Sequence, residues 1–285
     1  MTAAEGLGTL YVVSTPIGNM GDFSFRAVEV LKSVQAILAE DTRHTRNLLD
    51  RYEIKTSAIP YHEHNEAKTT PALVARLIRG DSLALVSDAG TPLISDPGAR
   101  LVRAAIDAGI GIVALPGASA LLAALVVSGL DAERFTFFGF LTRTGSDRRA
   151  ALDDITTMRH TAVLYEAPNR LVATLGDLEG RGSGGRSVVV AREMTKQFEE
   201  VKRGTVSELR AYYEDKPPRG EVVLVIAAAV EQAPSDEAVR TRVNALRASG
   251  MSARDAAATV AAELGVPKRV AYRLAQQAAK SGEDE

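Results

Sequence analysis

The sequence predicts two α/β domains followed by a small helical segment, and three observations carry this. Short β-branched runs alternate with amphipathic stretches from Thr9 to Val127. The alternation restarts after Leu130, and strand signals stop near Pro234. Such βα alternation gives a largely parallel sheet covered by helices. In the first domain, Thr9–Val13, Ala36–Ala39, Leu83–Ser87 and Ile112–Leu115 read as strands. Phe25–Val34 and the Ala/Leu-rich Ala118–Val127 read as helices. In the second, Phe135–Phe138, Ala162–Tyr165, Val188–Ala191 and Val222–Ala227 read as strands, and Arg148–Met158 as a helix. The last segment holds three helical stretches, Asp236–Ala248, Ala253–Leu264 and Pro267–Ala279. The expected boundaries are 1–117, 118–233 and 234–285, with a cleft between the two α/β domains.

Composition narrows the chemistry. The chain has 285 residues, 46% of them hydrophobic, and a formal net charge of −2. It is no polycation, so any nucleic-acid contact must come from local patches. Absence of cysteine excludes disulfides, thiolate nucleophiles and Cys-type metal sites. The start of the chain lacks the basic and apolar regions of a signal peptide. The longest apolar run, 222–230, is far short of the roughly 18–20 residues of a membrane span. A cytoplasmic protein with no membrane partner is expected. Between Asp236 and Lys280, eight basic residues stand against four acidic ones, a local net charge of +4.

The segments that carry chemistry follow strands, where open α/β sheets bind ligands. The strand Leu83–Val86 runs into Ser87-Asp88-Ala89-Gly90-Thr91-Pro92-Leu93-Ile94-Ser95-Asp96-Pro97-Gly98. Small residues there allow close approach to the backbone, and the Thr91 hydroxyl is available to a polar ligand. Ser95 or Asp96 is the expected N-cap of the next helix. Leu115-Pro116-Gly117-Ala118-Ser119-Ala120 again joins strand to helix, but it lacks the second glycine of a nucleophile elbow. Ser119 is either a cap or a ligand contact. The loop Ser14–Asp22 contains Pro16 and two glycines without a dinucleotide fingerprint. Glu40-Asp41-Thr42-Arg43-His44 is either a cap with a solvated ion pair or an orienting device for a phosphate or ribose. Tyr165-Glu166-Ala167-Pro168-Asn169-Arg170 and Ala191-Arg192-Glu193-Met194-Thr195-Lys196 put charge at the second sheet's edge. His62 and His64 flank Glu63 without a third ligand at a convincing spacing, so no metal is expected. Gly180–Gly185 is a surface loop and not a phosphate loop.

The strings SDAGTPLISDPG (87–98), LPGASA (115–120), FFGFL (137–141), YEAPNRL (165–171) and AREMTK (191–196) resemble the tetrapyrrole-methylase family of methyltransferases, specifically its ribosomal RNA branch. The resemblance runs from about Leu10 to Ala279. It implies two α/β domains of the tetrapyrrole-methylase type, S-adenosylmethionine in the cleft, and a homodimer. The implied reaction is 2′-O-methylation of a cytidine ribose in small-subunit (16S) ribosomal RNA, with the 30S particle as partner. Cofactor contacts carried over are Pro16, Gly90, Thr91, Pro92, Ile94, Ser119, Ala120, Tyr165, Glu166 and Ala191. For the ribose, Asp41, Arg43, Glu193 and Lys196 are the candidates to orient the hydroxyl or assist its deprotonation.

The C-terminal segment supports RNA independently. Residues 255–273 have helix–Gly turn–helix spacing, with Lys268, Arg269 and Arg273 able to reach phosphates. The same helices read equally as a small cap or dimerisation element. Arg143, Arg148 and Arg149 form a second candidate RNA-facing patch. Two other readings remain: a methyltransferase for a small tetrapyrrole-like substrate, and a ribosome-binding protein without activity.

Overall fold

The computed structural model describes residues 6–229 and 235–280. The chain divides into two compact units, Met1–Ala229 and Val230–Glu285. In chain order, the first half of the larger unit contains β1 (Thr9–Val13), α1 (Phe25–Ser33), β2 (Ala36–Ala39), α2 (Thr42–Arg51), β3 (Ala58–Pro60), α3 (Glu66–Ile78), β4 (Leu83–Val86), α4 (Ala99–Asp107) and β5 (Gly111–Leu115). Its strands form one parallel sheet in the order β3-β2-β4-β1-β5. The inner strands β2 and β4 are buried along their whole length, as apolar runs covered by helices on both faces must be. Val13 is in register with both Val86 and Leu115. The carboxyl ends of β1, β4 and β5 therefore finish at one level, and the loops after them share one edge.

The second half contains α5 (Ala120–Ser128), β6 (Phe135–Phe140), α6 (Ser146–Thr157), β7 (Thr161–Glu166), α7 (Leu171–Leu178), β8 (Ser187–Arg192), β9 (Glu200–Thr205), α8 (Val206–Asp215) and β10 (Val222–Ile226). The sheet order is β6-β7-β10-β8-β9. Only β6 and β7 run parallel; β10 is antiparallel to both β7 and β8, and β8 to β9. This corrects the expectation of a largely parallel second sheet. Strand β9 was not expected, because Glu200, Lys202 and Arg203 give it the polarity of an exposed edge. Helix α5 seats Ala124 and Leu125 against Val163, Val189, Val223 and Val225 of this sheet.

The smaller unit holds α9 (Asp236–Ala248), α10 (Ala253–Leu264) and α11 (Lys268–Lys280). Ser235 and Ser252 cap α9 and α10, each accepting from a backbone N–H three residues on. Gly265, at φ 67°, ends α10 in the left-handed conformation that helix termini favour for glycine. Val239, Val243, Val260, Ala271 and Leu274 form a core of its own. Lys268, Arg269, Tyr272 and Arg273 are exposed on α11, with Arg273 lying 3.9 Å from Asp236.

Candidate active site

Three loops at the carboxyl edge of the first sheet are laced together by short polar side chains. Thr15 and Gly90 exchange backbone hydrogen bonds of 2.8 and 3.0 Å. The Ser87 hydroxyl donates to the Gly90 carbonyl at 3.1 Å. Thr91 Oγ1 lies 2.9 Å from Ser14 Oγ and donates to the Ala118 carbonyl at 3.2 Å. The Thr91 hydroxyl therefore fixes the loops to one another. Five non-glycine residues among those described have positive φ. Two of them, Leu93 (72°) and Ser95 (67°), lie in the loop after β4, and two, Glu193 (52°) and Thr195 (67°), in the loop after β8. Backbone strain of this kind persists where surrounding structure enforces it, and it clusters at ligand sites.

Between these loops and the second sheet lies a cavity of about 380 Å³, within the roughly 300–1,000 Å³ of small-molecule sites. The loops after β1, β4 and β5 and the start of α5 contribute Ile17, Gly90, Thr91, Ile94, Ser119 and Ala120 to its lining, and the second sheet contributes Phe140, Tyr165, Glu166 and Val223. The Tyr165 hydroxyl accepts from the Leu121 N–H at 3.3 Å, and the rings of Phe137 and Phe140 pack against it. Glu40, Asp88, Asp96, Glu166 and Glu221 all line the cavity, and none of the lining residues is Lys, Arg or His. Burial and the neighbouring charges of Glu40 and Asp88 push the Asp96 carboxyl up to about 6, against a hydrogen bond from Ser87. Burial and Asp88 likewise raise Glu40 above the usual carboxylate range. A cation entering this space relieves the repulsion among these groups.

A second cavity of about 210 Å³ shares Ile17, Asp88, Ala89 and Glu221 with the first. Lys196 lines it, with Nζ 3.0 Å from Glu193 Oε1 and 3.2 Å from Glu221 Oε2. Burial works against the Lys196 ammonium, but these two carboxylates outweigh it and hold its pKa above the ordinary lysine value. Burial also pushes Glu193 up, yet the Glu221 N–H and Lys196 bring it below the usual range. Gly220, at φ +81°, packs so tightly on Glu193 that a Cβ there would lie 2.1 Å from its Oε1.

The expected residues divide accordingly. Gly90, Thr91, Ile94, Ser119, Ala120, Tyr165 and Glu166 line the first cavity, and Pro16 the second. Ser119 also caps α5, accepting from Leu122 N. Pro92 and Ala191 are buried and line neither cavity; Ala191 belongs to the apolar cluster beneath the site. Glu166 reaches the wall with both oxygens engaged. Oε1 accepts from Ala167 N and faces Arg170 at 3.1 Å, and Oε2 accepts from Thr174 at 2.6 Å. Asp41 and Arg43 line neither cavity. Asp41 caps α2 and pairs with the exposed Arg43 at 3.1 Å, which holds the carboxyl down at about 2. The pair is thus a cap with a solvated ion pair. Lys196 lines the second cavity, and Glu193 lines neither cavity but holds Lys196.

Two further expectations are corrected. Gly98, without a side-chain cap, occupies the N-cap of α4, leaving Asp96 to line the cavity. Arg148 does not face solvent. Its guanidinium is buried against Asp177 (2.7 Å), Thr174 (2.9 Å) and the Thr142 carbonyl (3.2 Å), while Arg143 and Arg149 are exposed. Sequence reasoning did not select Glu40, Asp88, Asp96, Phe140 or Glu221. Carboxylates directly after β2 and β4 were a usable signal for the first two. Glu221 carries no motif and arrives through the antiparallel placement of β10. Among the described residues, no group of three or more His, Asp or Glu is arranged to hold a metal ion.

Comparison with known proteins identifies the family. Residues 9–210 match the model of the tetrapyrrole (corrin/porphyrin) methylases. The chain is 46% identical to the ribosomal RNA small subunit methyltransferase I of Synechocystis sp., covering 97% of this chain and all of that one. It is 40% identical to the protein of that name from Bacillus subtilis, over 93% of each chain. Among solved structures, a cobalt precorrin-4 methyltransferase superposes with a TM-score of 0.59 at 17% identity, covering 77% of this chain and 94% of that one. A diphthine synthase superposes with a TM-score of 0.60 at 14% identity, covering 78% and 90%. Those two show the fold. The chain belongs to the tetrapyrrole (corrin/porphyrin) methylase family and, within it, to the ribosomal RNA small subunit methyltransferase I group.

Proposed function

We propose that the protein methylates the 2′-hydroxyl of a cytidine ribose in small-subunit (16S) ribosomal RNA, using S-adenosylmethionine. The observation that carries the reading is the pair of cavities with one common wall, the first lined by five carboxylates and no cation, the second by Lys196. The first suits a molecule carrying a sulfonium and an ammonium. Gly90, Thr91, Ile94, Ser119, Ala120 and Tyr165 would hold it, with Asp88 and Asp96 matching its positive charge. When bound, S-adenosylmethionine supplies an electrophilic methyl carbon on a cationic sulfur that departs as a neutral thioether.

Lys196 is kept protonated and therefore serves as a donor. Its ammonium orients the acceptor hydroxyl and stabilises the alkoxide character that this oxygen gains as its proton passes to solvent. Glu193 holds Lys196 in place and acts as a positioning residue. Lys196→Ala is expected to lower single-turnover methylation of 30S particles by roughly 10²-fold, the scale of one lost charge-stabilising donor. Calorimetric affinity for S-adenosylmethionine should stay unchanged. Full single-turnover activity in that variant would remove Lys196 from the mechanism.

The RNA acceptor is favoured over a small tetrapyrrole-like one by the relatives' names and by the exposed basic face of α11. This reading places the protein in the cytoplasm, and no helix among the described residues is long and apolar enough to cross a membrane. A homodimer fits the outer face of α5, where Leu122 and Val126 are 50% and 73% exposed on a helix apolar all round. Val126→Asp should convert a dimer to a monomer in light scattering, and an unchanged mass would refute the assignment of this face.

A further inference from the structure

The second cavity differs in chemistry from the first. Beside Lys196 it is lined by His44, Thr45 and Asn47, all from α2, and by Met20. Thr45 is 3% exposed, and its hydroxyl has no hydrogen-bond partner. A buried hydroxyl left unpaired is destabilising, so its place in a well-packed helix calls for a ligand that satisfies it. His44 and Asn47 stand exposed on the same helix, with Arg43 and Arg46 exposed beside them. The amide of Asn47 carries one acceptor and two donors, the complement of a pyrimidine's Watson–Crick edge.

Geometry fixes which end of a bound molecule reacts. Methyl transfer needs the two reacting atoms about 3–3.5 Å apart. Only the wall of Ile17, Asp88, Ala89 and Glu221 is common to both cavities. An acceptor ribose must then lie against that wall next to Lys196, leaving its base toward α2.

We propose that the second cavity receives a single pyrimidine nucleoside splayed out of the RNA strand, and that Thr45 and Asn47 read its base, with His44 at the rim. The proposal rests on the RNA-methylation reading and adds to it the residues that recognise the acceptor. RNA is commonly read in this way, through unstacked bases hydrogen-bonded on their edges.

The test removes each partner separately. Thr45→Val and Asn47→Ala are assayed on 30S particles reconstituted with RNA that carries either cytidine or an abasic ribose at the acceptor position. Each variant should lose about tenfold in kcat/KM on the cytidine substrate, the scale of one base-edge hydrogen bond, and almost nothing on the abasic one. Affinity for S-adenosylmethionine should be unchanged. Thr45→Val should also raise the melting temperature, because it removes an unpaired buried hydroxyl, an effect that a merely structural threonine would reverse. Equal losses on the two substrates, or none on cytidine, would overturn the assignment while leaving the function intact. If the unaltered protein transfers no methyl group to either substrate, the functional reading falls and takes this one with it.

Discussion

Replacing Asp96 by Asn tests the electrostatics of the first cavity without changing its shape. Burial, Glu40 and Asp88 raise this carboxyl from 3.8 to about 6. A group whose folded pKa exceeds its unfolded one binds more protons when folded. Asp96 therefore favours the folded state at low pH, and that contribution is lost as pH rises from about 4 to about 6. Two pKa units correspond to at most about 3 kcal/mol. Asp96 is partly open to solvent, and screening reduces this to about 1–2 kcal/mol. Asp96→Asn should thus melt roughly 2–6 °C higher than the parent at pH 8, with the gap narrowing toward pH 5. The same variant should bind S-adenosylmethionine more weakly at pH 8, having lost a negative charge facing a cation. Differential scanning fluorimetry across pH 5–8 and calorimetry provide the two readouts. A melting difference independent of pH, or cofactor affinity equal to the parent's, would refute the argument that mutual repulsion among these carboxylates is held in reserve for a cation.

Two other outcomes follow from the distribution of arginine and lysine. Arg148→Ala should destabilise the fold by about 2–4 kcal/mol, since it leaves Asp177 and Thr174 without their buried partner, whereas Arg149→Ala should stay within about 0.5 kcal/mol in denaturant titrations. Replacing Lys268, Arg269 and Arg273 together by Ala should weaken RNA binding and lower the slope of log K against log salt by about 2, at roughly 0.7 per phosphate on single strands; an unchanged slope would exclude the α11 face from RNA contact.

The elements legible in the sequence were those whose burial is written in local pattern. Strands β1, β2 and β4 are covered on both faces and read as apolar runs, and the three C-terminal helices announce themselves by periodicity, serine caps and Gly265. Strand direction in the second sheet was not legible. Buried strands such as β7, β8 and β10 are apolar whether they run parallel or antiparallel, so their composition carries no orientation. The charged edge strand β9, which reverses the chain, hid that orientation further. Strand β3, only three residues long and ending in Pro60, left no pattern to detect.

The candidate site shows the same division. Sequence alone determined that small-residue loops follow β1, β4 and β5, because turn chemistry and strand ends are local. The assignment of Gly90, Thr91, Ser119 and Tyr165 to a cofactor came from the resemblance of their motifs to the methylase family, not from local pattern. Tertiary structure alone decided the fate of charged residues. Asp41 and Arg43 satisfy each other in solvent, Arg148 is consumed by Asp177, and Glu166 by Arg170 and Thr174. Lys196 is held by Glu193 and by Glu221, which immediately precedes β10. Whether a charge does chemistry or holds the fold depends on which partners lie within about 3–4 Å of it, and the deciding ones, Asp177 for Arg148 and Glu221 for Lys196, come from distant parts of the chain.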